Sequence, residues 1–217
     1  MLKTTHPLDF DAMPAAAPLR ASPLALTVLF MLAGGPIHPY EMQRRMKLWG
    51  KDLVVNVAQR ATLYKTIDRL HQAGLIAVRQ TERDQRFPER TVYELTQEGA
   101  QVARLWLTEM LSTPRNEFPR FPAALSFVFM LTPAEALAVL EQRAGILGDN
   151  LAGLLRSLSG EIQPMPPRVT LVETEYLHAM TLAELDWVNR IVEELRSGTL
   201  SWSEEELVEA VKAFLPD

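Results

Sequence analysis

Cysteine is absent from the 217 residues. That excludes a disulfide scaffold, a Cys-ligated zinc site, an iron–sulfur centre and a cysteine nucleophile, and it fits a reducing compartment. Long apolar runs are missing too. The longest, Leu24 to Ala33 with only Thr27 interrupting, is far short of the ~20 residues of a membrane span. Near the start, Lys3 is followed by His6, Pro7, Asp9 and Asp11, where a signal peptide would place its apolar stretch. The expectation is a cytoplasmic protein with no membrane partner. Histidine is scarce: His6, His38, His71 and His178 are scattered, and no two have His-x-x-x-His spacing, so no metal is expected. Gly-x-Ser-x-Gly, Gly-x-Gly-x-x-Gly and the P-loop pattern are absent. No catalytic residue and no cofactor is expected, and an enzyme has no supporting constellation.

Positive charge is in deficit overall, with a net charge of −5, but its distribution is uneven. Residues 20–111 carry 13 Lys and Arg against nine Asp and Glu, whereas residues 112–217 carry eight against 16. A basic half joined to an acidic half is a domain-level asymmetry that the total conceals.

Residues 1–21, with Pro7, Pro14 and Pro18 around an alanine cluster, show no periodicity and read as a flexible arm. Ser22-Pro23 is a helix start, with Ser as N-cap and Pro in the first turn. The apolar run that follows is a buried helix stopped at Gly34-Gly35-Pro36. His38-Pro39 starts a second helix to about Trp49. Asn56 is a candidate cap for a third, Val57 to Ala73, with Leu63, Ile67 and Leu70 inward and Gln59, Arg60, Lys65, Asp68 and His71 opposite. Leu75–Glu82 and Arg90–Leu95 are β-like runs. Arg79, Arg83, Arg86 and Arg90 also fit a helix face, but Pro88 breaks it, so a hairpin with a basic tip is expected. Thr96 starts a fourth helix to about Leu111.

Beyond a proline-bearing linker, Thr132 and Glu135 form a capping box around Pro133. The helix behind them carries Leu137, Leu140, Ala144, Leu147, Leu151, Leu154 and Leu158 at alternating spacings of three and four, the seam of a coiled coil. Pro167 opens a long helix with one stripe of Tyr176, Met180, Ala183, Trp187, Ile191 and Leu195, and a second of Leu177, Val188 and Val192. Ser203 and Glu206 form another capping box before a last helix. Leu137, Leu140, Leu147, Leu151, Leu154, Tyr176, Met180, Trp187 and Ile191 are the candidate homodimer contacts.

Three helices then a hairpin, with a basic third helix and tip, is the order of a winged helix-turn-helix. A helix fits the major groove of double-stranded DNA, where Gln pairs with adenine and Arg or Lys with guanine, and wing arginines lie on phosphates or in the minor groove. The same unit also serves as a protein-binding module, and the acidic total charge favours that alternative. The fold class expected is mainly α: a winged helix-turn-helix over residues 22–111, then an α-helical dimerisation domain over residues 112–217.

Leu24–Leu111 resembles the PadR-like transcriptional regulators. The resemblance rests on Gly35-Pro-Ile-His-Pro-Tyr-Glu41 at the first helix end, and on Thr62-Leu-Tyr64, Arg69-Leu70 and Gly74-Leu-Ile76 on and after the third helix. Tyr93-Glu-Leu-Thr-Gln-Glu-Gly99 adds a fourth match after the hairpin. The acidic half resembles the helical dimerisation region of the longer members only loosely. Pro39 stands where the family has Gly, Lys65 where it has Pro, and Arg60-Ala61 where it has a small Pro-Gly-like pair, so this recognition surface is more basic than the common pattern. The resemblance implies a homodimeric repressor of a pseudo-palindromic operator, relieved by an unidentified small-molecule effector. Gln59, Arg60, Thr62, Tyr64 and Lys65 are the recognition-helix candidates, and Arg83, Arg86 and Arg90 the wing candidates. A solvated face is the plain alternative, and packing against the second helix is the alternative for Tyr64. Arg44, Arg45, Lys47 and Lys51 are secondary candidates for phosphate. Trp106 and Trp187 are candidates for an effector pocket, with core packing as the alternative. His38 is read as a helix-entry residue.

Overall fold

The computed structural model describes residues 20–56, 60–82, 90–159 and 167–214. Two compact units divide the chain between Asn116 and Glu117.

The helices of the first unit begin on side chains that satisfy their free amides. Ser22 accepts from the Ala25 amide at 3.2 Å to open α1 (Pro23–Ala33). The Nδ1 of His38 accepts from the Glu41 amide at 3.3 Å to open α2 (Pro39–Leu48), a capping role at the helix entry. Ala25, Val28, Leu29, Met31 and Leu32 of α1 are buried, more than a single narrow stripe, which is why the run can be apolar nearly all round. α3 (Arg60–Gln72) buries Leu63, Ile67 and Leu70, the stripe expected from their spacing. Its expected first turn, residues 57–59, lies outside the described residues. Gly74 then leaves the helix in the left-handed region, at φ 72°, which a side chain disfavours.

β1 (Ile76–Glu82) and β2 (Arg90–Leu95) pair antiparallel, from Ile76 opposite Leu95 to Glu82 opposite Arg90, with a bulge between Val78 and Gln80. The tip, residues 83–89, lies outside the described residues. Ile37 adds a one-residue third strand, its amide and carbonyl each bonding Tyr93 at 3.1 Å. The sequence reading placed only a stop and a restart between helices there; the bridge ties the start of α2 to the hairpin.

α4 (Gln97–Ser112) begins where hairpin and α3 converge. The Thr96 hydroxyl accepts from the Gly99 amide at 3.0 Å and lies 2.8 and 2.9 Å from the Gly74 and Leu75 carbonyl oxygens, its acceptors. A Cβ on Gly99 would stand 1.9 Å from the Leu75 carbonyl oxygen, so only glycine lets α4 approach. Thr96 and Gly99 thus join three elements through four residues of sequence. One core gathers α1, α2, α3 and β1, with Trp106 of α4 at its edge.

The second unit contains α5 (Arg120–Leu125), α6 (Pro133–Leu158), α7 (Val172–Arg196) and α8 (Glu204–Phe214). The capping box of α6 forms as expected, with Thr132 and Glu135 bonding each other's backbone amides. Ser203 and Glu206 do the same ahead of α8. The helix expected from Pro167 starts later, at Val172. Pro167 stays extended at ψ 138°, and its carbonyl closes a short 3-10 turn over Arg168–Thr170.

The leucine seam of α6 also divides differently from its heptad. Leu140 and Leu147 share a buried cluster with Ala136 and with Val188, Val192 and Leu195 of α7. These two leucines, expected at a dimer contact, are therefore covered within one chain, and the second stripe of α7 is what covers them. Trp202 closes the unit by donating from its indole to the Leu131 carbonyl at 2.9 Å.

Candidate nucleic-acid interface

Burial of Leu63, Ile67 and Leu70 fixes the roll of α3, and the roll decides which side chains face solvent. Arg60, Thr62, Tyr64, Lys65, Asp68 and Arg69 are all exposed. Tyr64, 47% exposed, is not packed away against α2. Lys65 has no ion pair among the described residues. Gln59 lies outside the described residues, as do Arg83 and Arg86 of the wing. Arg90 opens β2 opposite Glu82, and its side chain lies outside the described residues.

The exposed side of α2 is organised by one carboxylate. Glu41 accepts from Arg44 through Nε at 2.7 Å and Nη2 at 2.9 Å, and from Arg45 Nε at 2.8 Å. The hydrogen bonds from Arg44, then from Arg45, pull the Glu41 carboxyl down to about 2, and the same bond raises Arg44. Two of the secondary phosphate candidates are therefore held in fixed positions, each with part of its charge already matched.

Arg60 is held from the side of α2. Its Nε donates to the Gln43 Oε1 at 3.3 Å, and its guanidinium carbon lies 5.8 Å from the centre of the Tyr40 ring. Tyr40 in turn stacks on His38 at 6.0 Å. Sequence reasoning named Arg60 but missed Tyr40, Gln43 and Glu41. The signal available was position: all three fall in the first two turns of α2, within or just after the His-Pro-Tyr-Glu run.

Behind the exposed face, Tyr93 of β2 meets His71 edge-on at 6.0 Å. Burial raises its phenol, and Asp68 and Tyr64 add to the effect. Hairpin and α3 are thus packed together at the base of the wing. Arg79, at the bulge, lies 3.6 Å from Glu94 across the sheet.

The remaining candidates sort by unit. Trp106 belongs to the first unit's core at 9% exposure. Trp187 packs against the second unit's core and meets Phe121 edge-on at 6.0 Å. Leu137, Leu151, Leu154 and Ile191 are half-buried, while Tyr176 and Met180 stand 64% and 52% exposed. Among the described residues no group of three His, Asp or Glu is placed to hold a metal ion, and no helix is long and apolar enough to cross a membrane.

Residues 28–105 match the model of the transcriptional regulator PadR-like family. They form a PadR-like domain. The PadR-like fold extends further in solved structures. Bacillus subtilis PadR in complex with operator DNA is 19% identical, with a TM-score of 0.63 over 79% of this chain and 98% of that one. The same protein in complex with p-coumaric acid is 18% identical, with a TM-score of 0.60 over 84% and 99%. The Vibrio cholerae virulence activator AphA is 13% identical, with a TM-score of 0.57 over 80% and 98%. No curated protein matches the chain. Within this domain, Thr96 and Gly99 staple α4 to the end of α3 and the hairpin, and Glu41 organises the exposed side of α2.

Proposed function

We propose that this chain is a sequence-specific DNA-binding transcriptional regulator, a homodimeric repressor acting on a pseudo-palindromic operator. The observation that carries the reading is the exposed face of α3. Its apolar side is wholly buried, and Arg60, Thr62, Tyr64 and Lys65 stand outward on a PadR-like domain. A helix presented this way enters a major groove with its N-terminal side chains at base edges. The arginines of α2 and of the wing supply phosphate contacts, which give affinity without sequence preference. The resemblance to a PadR solved on operator DNA supports the same use of the fold.

Dimerisation belongs to the second unit. After α6 and α7 bury their shared core, Tyr176 and Met180 remain exposed on α7 and Ile146 and Leu155 on α6, apolar surface that a second copy would cover. Its acidic charge keeps this unit off the duplex. Two-fold symmetry then sets half-sites ~34 Å apart or at a multiple of that. Repression follows from occupying a promoter. Relief by a small aromatic acid or another effector is the family-level expectation, since a PadR has been solved with p-coumaric acid.

The test is selection of bound duplexes from a random-sequence pool at ~150 mM salt, where long-range attraction is screened. An inverted repeat is the expected product. With ~6–10 phosphates contacted, affinity for it falls ~10³–10⁵-fold between 50 and 200 mM salt. No enrichment, together with stoichiometric recovery of a protein partner, would replace this reading with a protein-binding winged helix.

A further inference from the structure

We infer that Arg60 is the guanine-reading side chain of α3, and that Tyr40 and Gln43 are positioning residues that aim it. The inference rests on the DNA-binding reading above and names a specificity determinant within that site.

Two contacts, from two different side chains of α2, hold the Arg60 side chain. Gln43 takes the Nε hydrogen at 3.3 Å, and the Tyr40 ring lies under the guanidinium, its centre 5.8 Å from the central carbon. A guanidinium has five N–H donors in a rigid plane. Using Nε for Gln43 leaves both terminal nitrogens, which among the described residues make no hydrogen bond. Those two nitrogens, side by side, match the paired acceptors O6 and N7 that guanine alone presents in the major groove. Their position on the helix agrees: Arg60 is the first described residue of α3, toward the end of a recognition helix that reaches base edges.

The arrangement also separates Arg60 from the other cations. Arg44 and Arg45 share the Glu41 carboxylate, so their charge is partly matched and their donors partly used, as suits backbone contacts. Lys65 is a flexible ammonium without a partner among the described residues, and an ammonium recognises phosphate as a point charge. Arg60 alone among them has no carboxylate partner in the described residues, yet has a hydrogen bond and a ring face that restrict its plane. A held plane is needed for bidentate reading of a base and adds little to attraction by a phosphate. It also limits the rotamer entropy that Arg60 loses on binding, because part of that loss is incurred on folding.

The test repeats the duplex selection with the full chain and four variants. If the wild type yields no motif, the DNA-binding reading itself fails. If it yields an inverted repeat, Arg60→Ala is expected to keep the repeat but lose a guanine preference at one position per half-site. Its affinity for the wild-type operator should drop about 10-fold to about 100-fold per half-site, the size of a good bidentate pair. Arg60→Lys should fail to restore that preference, because an ammonium lacks the fork. Tyr40→Leu should weaken the same position and no other, and Tyr40→Phe, which keeps the ring face, should restore it. Two results overturn the proposal. One is an unchanged preference at every position in Arg60→Ala, with operator and random duplex weakened alike, the signature of a phosphate contact. The other is a loss in Tyr40→Leu spread evenly over the site, the signature of a merely structural tyrosine.

Discussion

The two units solve the same problem, burying apolar surface, to different extents. In the first, 15 described residues form one buried cluster drawn from four helices and the hairpin. In the second, six do so, drawn from α6 and α7 alone. The first carries 15 of the 22 Lys and Arg and the second 16 of the 27 Asp and Glu. A short chain segment that closes its own core has its roll and register fixed, so its polar face can be committed to recognition. A helix pair with a thin core leaves apolar stripes outside, and those stripes are suited to a second copy. On the proposed function, the difference between the cores is a division of labour: the first unit reads, the second assembles.

Removing core volume should show the contrast most sharply. Leu63→Ala empties a position that is 1% exposed, and truncations of this kind cost about 2–5 kcal/mol. Calorimetry should record a large loss in the first unit's transition, and DNA affinity should fall with it. Gly99→Ala is expected to come next. Its Cβ would meet backbone rather than a yielding side chain, and overpacking costs about 1–3 kcal/mol; chemical denaturation should show it while α6 and α7 keep their helicity. Replacing Thr96 with Val removes a cap and both carbonyl contacts, for a loss of about 0.5–2 kcal/mol.

The second unit should respond to surface change instead. The double variant Tyr176→Asp and Met180→Asp alters exposed positions, so thermal unfolding of α6 and α7 should change little. Light scattering at micromolar concentration should nevertheless move from a dimer to the 24.4 kDa single chain. A dimer that persists would move the assembly surface elsewhere. The smallest effect is acid sensitivity at Glu41. Its carboxyl is lowered to about 2 in the folded chain from an ordinary 4.5. The ionised form therefore favours folding fully above about 4.5, and that contribution is lost as pH falls from there through about 2. Carboxyl NMR should give the low midpoint, and Arg44→Ala should raise it; a midpoint near 4.5 in the wild type would remove Glu41 as the organiser of α2.

Much of this was legible in the residues because the deciding forces are local. Ser22, Thr96, Thr132 and Ser203 announce their helices through capping chemistry, and Leu63, Ile67 and Leu70 announce their face through spacing. What escaped depends on contacts distant in sequence. Ile37 pairs with Tyr93 and Gln43 meets Arg60, and no local pattern marks either. The α6 seam misled for a related reason. A heptad states that a stripe is buried, but not by which chain, and Val188 and Val192 of the same chain cover Leu140 and Leu147. Pro167 had the composition of a helix start, yet the tight turn behind it moved the start to Val172.

The claim at the centre of this account is that the face of α3 meets DNA and the acidic helices do not. Backbone NMR of the full chain, free and with its selected duplex, tests it directly. The account predicts that the largest amide shifts and the strongest new exchange protection fall on residues 60–69 and 39–47, with residues 172–196 unmoved by contact. Perturbation centred on α6 and α7, with residues 60–69 unchanged, would contradict it.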